Sequence, residues 1–321
     1  TLGQMSRTDI YSSLKEWEQL TPLPFYSIGE PELTKVVNKG GEEFFVLKVL
    51  VSNNSDYDGI IQMNVLQNGW WYQPLEDPRA RKKVEIAAHT TKEFVSVWEE
   101  QIREVEVNTM ISGNLPYMIR QSIGNVKQER NKIVKDSIYT LPESSLEMPG
   151  EIIVDNEDST LFVLSTPPVV GLLPKWLDEV EETPFKYSGI SWWRAPLQWT
   201  ATTNAKYYGK YIRSAYVIKS GDGSQTATWK IPVPEAGQYE LYYYVFKNDE
   251  LRWNDRLQGE YHFRVAYDSE VEDAYINLRK ANEGWEQLGT YYFSADTVRV
   301  VLTDECKLRS VTADAVKIVK R

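Results

Sequence analysis

In Tyr239-Glu-Leu-Tyr-Tyr-Tyr-Val-Phe246 only Glu240 interrupts a run of large apolar and aromatic side chains. Successive side chains of a strand point to opposite faces, which puts Tyr239, Leu241, Tyr243 and Val245 on one side and Tyr242, Tyr244 and Phe246 largely on the other. Rings on both faces suit a central strand, or one with an exposed aromatic surface. Downstream, Tyr261, Phe263, Val265 and Tyr267 alternate with His262, Arg264, Ala266 and Asp268, the pattern of a strand with one buried face. Val298 to Leu302 and Ala313 to Val319 complete a set of short strands with no amphipathic helix between them.

The preceding residues follow the same grammar. Phe44 to Ser52 is an almost continuous apolar run suited to a strand buried on both faces, and Asn53-Asn-Ser-Asp56 with Asp58-Gly59 supplies turn chemistry after it. Ile60 to Leu66, Lys83 to Ala88, Glu93 to Trp98, Val105 to Val107 and Thr160 to Ser165 read as further strands. Strands at this spacing favour antiparallel sandwiches over a parallel α/β sheet. Ile10, Tyr11, Leu14, Trp17 and Leu20 recur at helical spacing after Thr8-Asp9, and Pro22 and Pro24 end that helix. Gly124 to Gly150 is polar and leaves a long loop and a helix equally open. The expectation is an all-β chain of two tandem antiparallel β-sandwiches with a short amino-terminal helix. Its divisions are a helical extension at 1–34, a sandwich of immunoglobulin-like pattern at 35–173, a proline-bracketed acidic linker at 174–186 and a second sandwich at 187–321.

Five pieces stand in order within that second unit: Trp229-Lys-Ile-Pro-Val-Pro-Glu-Ala-Gly237-Gln-Tyr239, Tyr261-His-Phe-Arg-Val265, Gly284-Trp-Glu-Gln-Leu-Gly289, Leu302-Thr-Asp304 and Ala313-Asp-Ala-Val316. Their order resembles the golvesin C-terminal-like domain, also described as the carbohydrate-binding-like domain at the end of xanthan lyase. The resemblance covers a little under half of the chain. It implies a β-sandwich appended to secreted bacterial proteins, with a role in glycan or surface binding, and it brings no catalytic residues.

Composition narrows the classes further. With 42% hydrophobic and 26% charged residues the chain is globular, and no apolar run reaches the roughly 18 residues that span a bilayer. The single cysteine, Cys306, excludes an intramolecular disulfide framework. The net charge of −10 is uneven: residues 184–321 hold 19 basic and 17 acidic residues, a net of +2, which leaves −12 for residues 1–183. An acidic amino-terminal half argues against nucleic acid, whose phosphates need clustered Lys and Arg. From Phe185 to Ser220, however, there is no acid, while Lys186, Arg194, Lys206, Lys210, Arg213 and Lys219 accompany Trp192, Trp193 and Trp199. The absence of an initiator Met and of a leader pattern at Thr1 is read as the loss of a signal peptide or of an upstream part.

The sequence holds no G-x-S-x-G, no phosphate loop, no H-E-x-x-H and no C-x-x-C, and its two histidines, His89 and His262, fall in different units. No catalytic residue is assigned. Asp314 reads as a buried acid bonded to turn amides. No cofactor or metal is expected; a structural calcium at Asp56-Tyr-Asp58 or Asp222-Gly223 is an option without regular ligand spacing to support it. Aromatic residues carry the site reading, because an exposed ring offers a rigid plane to the C–H face of a sugar. Trp192, Trp193, Arg194, Trp199 and Trp253 are the candidate ligand-binding residues, whereas Trp229 and Trp285 fill the core. Trp70-Trp71 and Trp192-Trp193 are adjacent pairs that cannot both point inward from a strand.

The expected function is a non-catalytic carbohydrate-binding or attachment module pair at the carboxyl-terminal end of a larger secreted or surface-attached bacterial protein. Its expected partners are a polysaccharide or cell-surface glycan, anionic if the basic stretch faces it, and upstream domains of the same polypeptide, with no nucleic acid and no membrane span. Two other readings stay open. The units serve as accessory domains packed on a missing catalytic region, or the chain is itself a polysaccharide lyase or hydrolase with convergent carboxylates.

Overall fold

The computed structural model describes residues 22–66, 77–124, 126–143, 146, 150–165, 186–191, 194–247 and 259–321. Ten strands come first: β1 (Tyr26–Ile28), β2 (Glu32–Val37), β3 (Glu43–Asn53), β4 (Gly59–Leu66), β5 (Arg81–Ile86), β6 (Thr90–Trp98), β7 (Glu104–Asn108), β8 (Met118–Ser122), β9 (Val126–Arg130) and β10 (Ser137–Pro142). Twelve follow: β11 (Glu151–Val154), β12 (Phe162–Leu164), β13 (Thr200–Thr203), β14 (Ser214–Lys219), β15 (Thr226–Pro232), β16 (Gly237–Val245), β17 (Glu260–Tyr267), β18 (Glu270–Asn277), β19 (Gly284–Phe293), β20 (Thr297–Thr303), β21 (Ser310–Ala313) and β22 (Val316–Lys320).

These strands form five sheets. Their orders are β10-β6-β3-β2-β9 with β1 beside β3, β5-β4-β7-β8, β11-β22-β16-β19, β12-β15-β20-β17-β18, and β13-β14-β21. The all-β class stands, but the expected pair of tandem sandwiches behind an amino-terminal helix does not. Five small sheets, a propeller-like count, replace the four that two sandwiches require, and the one helical element among the described residues is the 3-10 turn Pro78–Ala80. The helix expected over Ile10 to Leu20 lies outside the described residues. The immunoglobulin-like pattern is corrected too, because β9 runs parallel to β2 within a six-stranded mixed sheet. Periodicity fixes which residues are extended, whereas the choice of neighbours depends on long-range pairing that a single strand does not encode.

The region left open between loop and helix contains β9 and β10. β11 and β12, read as part of the first unit, pair instead with β22 and β15.

Two large apolar cores hold the sheets, with a third, small cluster of Tyr207, Ala215 and Phe246 beside them. One joins Leu33, Leu47, Val49, Val51 and Phe94 to Ile61, Met63, Val65, Val105 and Val107. The larger joins Trp229, Leu241, Tyr243, Phe263, Val300, Leu302, Val316 and Ile318, all with essentially no exposed surface. β16 obeys its alternation: Tyr239, Leu241, Tyr243 and Val245 are buried, while Tyr242 and Tyr244 are half-buried on the opposite face. Burying large rings at about 25 cal/mol per Å² makes this core the dominant stabilising term of the carboxyl-terminal sheets.

Candidate functional site

The segment from Lys186 to Ser220 winds around the β13-β14-β21 sheet. Ser188 N–H donates to the Ala201 carbonyl at 2.8 Å and Lys219 N–H to the Pro196 carbonyl at 2.7 Å, fixing both ends of the loop that precedes β13. Arg194 N–H donates to the Ser191 carbonyl at 3.0 Å across the two residues between them. Those two residues, Trp192 and Trp193, lie outside the described residues, as do Trp253 and the Trp70-Trp71 pair.

Of the other named candidates, Arg194 is exposed, and Trp199 is half-buried against the larger core with its indole nitrogen buried and without a hydrogen-bond partner. Trp229 is fully buried, as expected, and its Nε1–H donates to the Asp314 carbonyl at 3.2 Å. Trp285 does not fill the core. It is half-buried on the outer side of β19, packed on Tyr244 and Tyr208 at 5.1 and 5.0 Å, with Lys317 Nζ 4.7 Å from its ring centre.

A small cleft of about 180 Å³ is lined by Gly189, Ile190, Thr202, Thr203, Asn204, Tyr207 and Val217. Thr203 and Asn204 are half-buried and offer hydroxyl and amide groups. Tyr207, at 1% exposure, closes the floor. Sequence reasoning passes over these residues because threonines and a lone asparagine carry no motif. Their one legible signal is the extended Thr-Ala-Thr-Thr run beside the tryptophan loop.

Beneath the floor lies a buried polar cluster. Asp314 has no exposed surface; its Oδ2 accepts the Tyr208 N–H at 3.2 Å and its Oδ1 has no partner. Burial first, and Asp155 second, hold its carboxyl well above the usual range. Asp155 is withdrawn from solvent at its carboxyl although the residue is not sealed, and burial pushes it up to about 7. Arg213, 4% exposed, donates from Nη1 to the Tyr207 carbonyl at 3.1 Å, and burial pulls its guanidinium below the ordinary range. A general acid or base must come within hydrogen-bond reach of its substrate, and a carboxyl as sealed as Asp314 does not.

The basic stretch is largely spent on internal partners. Lys206 Nζ sits 2.9 Å from Glu283 and 3.0 Å from Glu104, and Ser122 Oγ donates to the same Glu283 at 2.7 Å. Burial opposes the Lys206 charge, but Glu283 and Glu104 override it and hold the amine above its usual value. Lys186 pairs with Glu157 at 2.5 Å, and Lys210 lies 5.6 Å from the Tyr211 ring centre. Arg194 and Lys219 are exposed.

The remaining polar motifs are structural. His89 bridges Asp56 and Glu143 at 2.8 and 2.7 Å, and those two hydrogen bonds, in that order, raise its pKa. Asp58 accepts the Ala88 N–H at 2.7 Å, and Asp222 accepts the Ser224 N–H at 3.1 Å. Among the described residues no group of three or more His, Cys, Asp or Glu is placed to hold a metal ion, and no helix is long and apolar enough to cross a membrane.

Residues 193–320, less than half of the chain, match the family model of the Golvesin C-terminal domain. No curated protein matches the chain. Among solved structures it is similar to Paenibacillus xanthan lyase, at 17% identity and a TM-score of 0.37 over 94% of this chain and 27% of the lyase. It is also similar to the exo-beta-1,3-galactanase of Phanerochaete chrysosporium, at 7% identity and a TM-score of 0.31 over 90% of this chain and 68% of that one. The Bacteroides uniformis beta-glucuronidase shares 12% identity at a TM-score of 0.23 over 91% and 30%. At these scores the likenesses decide nothing about the fold.

Proposed function

We propose that the chain is a non-catalytic, carbohydrate-binding or surface-attachment part of a secreted or surface-attached bacterial protein. Its glycan site is the cleft at Gly189, Thr202, Thr203 and Asn204 together with the Trp192-Trp193 loop, Arg194 and Trp199, with Trp253 as a further ring. The observation that carries this reading is a polar-lined cleft formed in part by Gly189 and Ile190, which stand just before Trp192-Trp193 in sequence at the start of the stretch that matches the Golvesin C-terminal domain. Hydroxyl and amide donors fix the orientation of a sugar, and a ring supplies the apolar plane. Lys186 and Lys206 are engaged by carboxylates and Arg213 is buried, so the exposed Arg194 and Lys219 set whether a neutral or an anionic glycan is preferred.

Glycan-array screening of the wild type beside a Trp192→Ala, Trp193→Ala double variant tests this. Loss of the wild-type signals from neutral glycans in the variant is expected, and equal signals from both on those glycans remove the site. A second reading, accessory domains that bind no sugar, is favoured by one observation: Lys206, Glu104 and Glu283 spend the loop's charge on packing the two cores together.

A further inference from the structure

The sheet β12-β15-β20-β17-β18 buries one face only. Trp229, Ile231, Val298, Val300, Leu302, Phe263 and Val265 point into the larger core, so residues of the opposite parity form the outer face. Register sets them in rows. Lys230 stands opposite Arg299, Arg299 opposite Ala266, and Ala266 opposite Val271. In the next row Thr228 stands opposite Val301, Val301 opposite Arg264, and Arg264 opposite Asp273. His262 faces Tyr275, their rings stacked at 4.9 Å and 11°. Arg264 and Arg299 are exposed, Lys230 is half-buried and Tyr275 is 55% exposed.

Two features single this face out. Lys230 and Arg299 are like charges directly across a strand pair, a placement that costs stability, and no described carboxylate pairs with either of them or with Arg264. Three cations therefore sit on three adjacent strands, about 5 Å apart from strand to strand, with Asp273 the one acid in their rows. This local excess of positive charge lies on a chain whose net charge is −10. The Asp273 carboxylate is itself engaged by His262 Nε2 at 2.8 Å, and the other acids of the face, Glu305 at 3.5 Å from His262 Nδ1 and the exposed Glu260, lie at the His262 end, away from Lys230 and Arg299.

We propose that this face is a second binding surface, separate from the tryptophan loop, for an extended uronate-bearing polysaccharide. Carboxylates of the polymer take the guanidinium forks of Arg264 and Arg299 and the ammonium of Lys230, relieving the cross-strand repulsion. The stacked Tyr275 and His262 rings offer the flat edge on which a sugar ring rests. The inference does not rest on the loop site, since no residue is shared.

The test is native affinity electrophoresis of the chain in gels containing polygalacturonate, dextran or polyuridylate. It compares the wild type, a Lys230→Gln, Arg264→Gln, Arg299→Gln triple variant, a Tyr275→Ala variant and the Trp192→Ala, Trp193→Ala variant. Polygalacturonate is expected to retard the wild type and the tryptophan variant alike, with retardation weakening as salt rises. The triple variant should lose roughly tenfold in affinity, the loss of one or two charge-assisted hydrogen bonds, and Tyr275→Ala several-fold. Unchanged retardation of the triple variant overturns the proposal. Equal retardation of the wild type by polyuridylate overturns it as well, since the face would then read charge alone. Should the triple variant fail to keep the wild-type circular dichroism spectrum, Tyr275→Ala decides: retained affinity removes the site and reduced affinity supports it.

Discussion

Asp155 and Asp314 show how far the residue scale can be pushed. Each carboxyl lies away from water, and burial is the first cause of both raised pKa values. For Asp155 the shift runs from 3.8 to about 7. Between those values the native state keeps a proton that the unfolded chain releases, so the contribution of Asp155 to stability is fully present below about pH 4 and is lost as pH rises through about 7. The contribution is on the order of 4 kcal/mol at most, at 1.36 kcal/mol for each pKa unit. Asp155→Asn is therefore expected to flatten the fall in urea midpoint between pH 4 and pH 7.5 relative to the wild type, and parallel curves would contradict the assignment. Of this cluster, Asp314 is legible in the sequence because it sits inside a recognisable motif. Arg213 is not. It reads as one more cation of the acid-free stretch, yet it is buried, because the tyrosines that surround it come from 207–208 and 244 and meet it only after folding.

At the scale of elements, alternation names the strands and the buried side of β16 and β17, but it says nothing of which strands meet. β11 completes a sheet by pairing with β22, more than 150 residues later, and the sequence offers no mark of it. The basic stretch shows the same limit, since the sequence leaves a glycan and an internal acidic interface equally open as its partner. Its nearest acids in space, Glu104, Glu157 and Glu283, are all distant along the chain. The turn from Asn204 to Arg213 is held against the first core by Arg120 N–H to the Ala205 carbonyl at 2.8 Å, Leu115 N–H to the Tyr211 carbonyl at 2.9 Å and Arg213 N–H to the Leu115 carbonyl at 2.7 Å. Lys206 sits in the middle of this contact at 14% side-chain exposure. Lys206→Met should leave Glu104 and Glu283 uncompensated and cost about 3 kcal/mol in urea unfolding. Adding Glu104→Gln and Glu283→Gln to that variant should recover part of the loss, and no loss in the single variant would show the pairs to be idle.

The whole molecule combines an acidic chain, two large apolar cores and a carboxyl-terminal domain whose chemistry-bearing residues are either sealed or displayed on surfaces. Asp314, Arg213 and Tyr207 are sealed; Arg194, Arg264, Arg299 and Tyr275 are displayed. That division is what retention of a polymer on a surface would use, and the sealed Asp314 lies out of reach of a bound sugar. The direct test is to titrate the chain by calorimetry with a panel of neutral and uronate-bearing polysaccharides, then size the recovered polymer by chromatography. Saturable heat with a polymer of unchanged length is the predicted result. Shortened or unsaturated sugar products, or no heat with any polymer of the panel, would contradict a binding role.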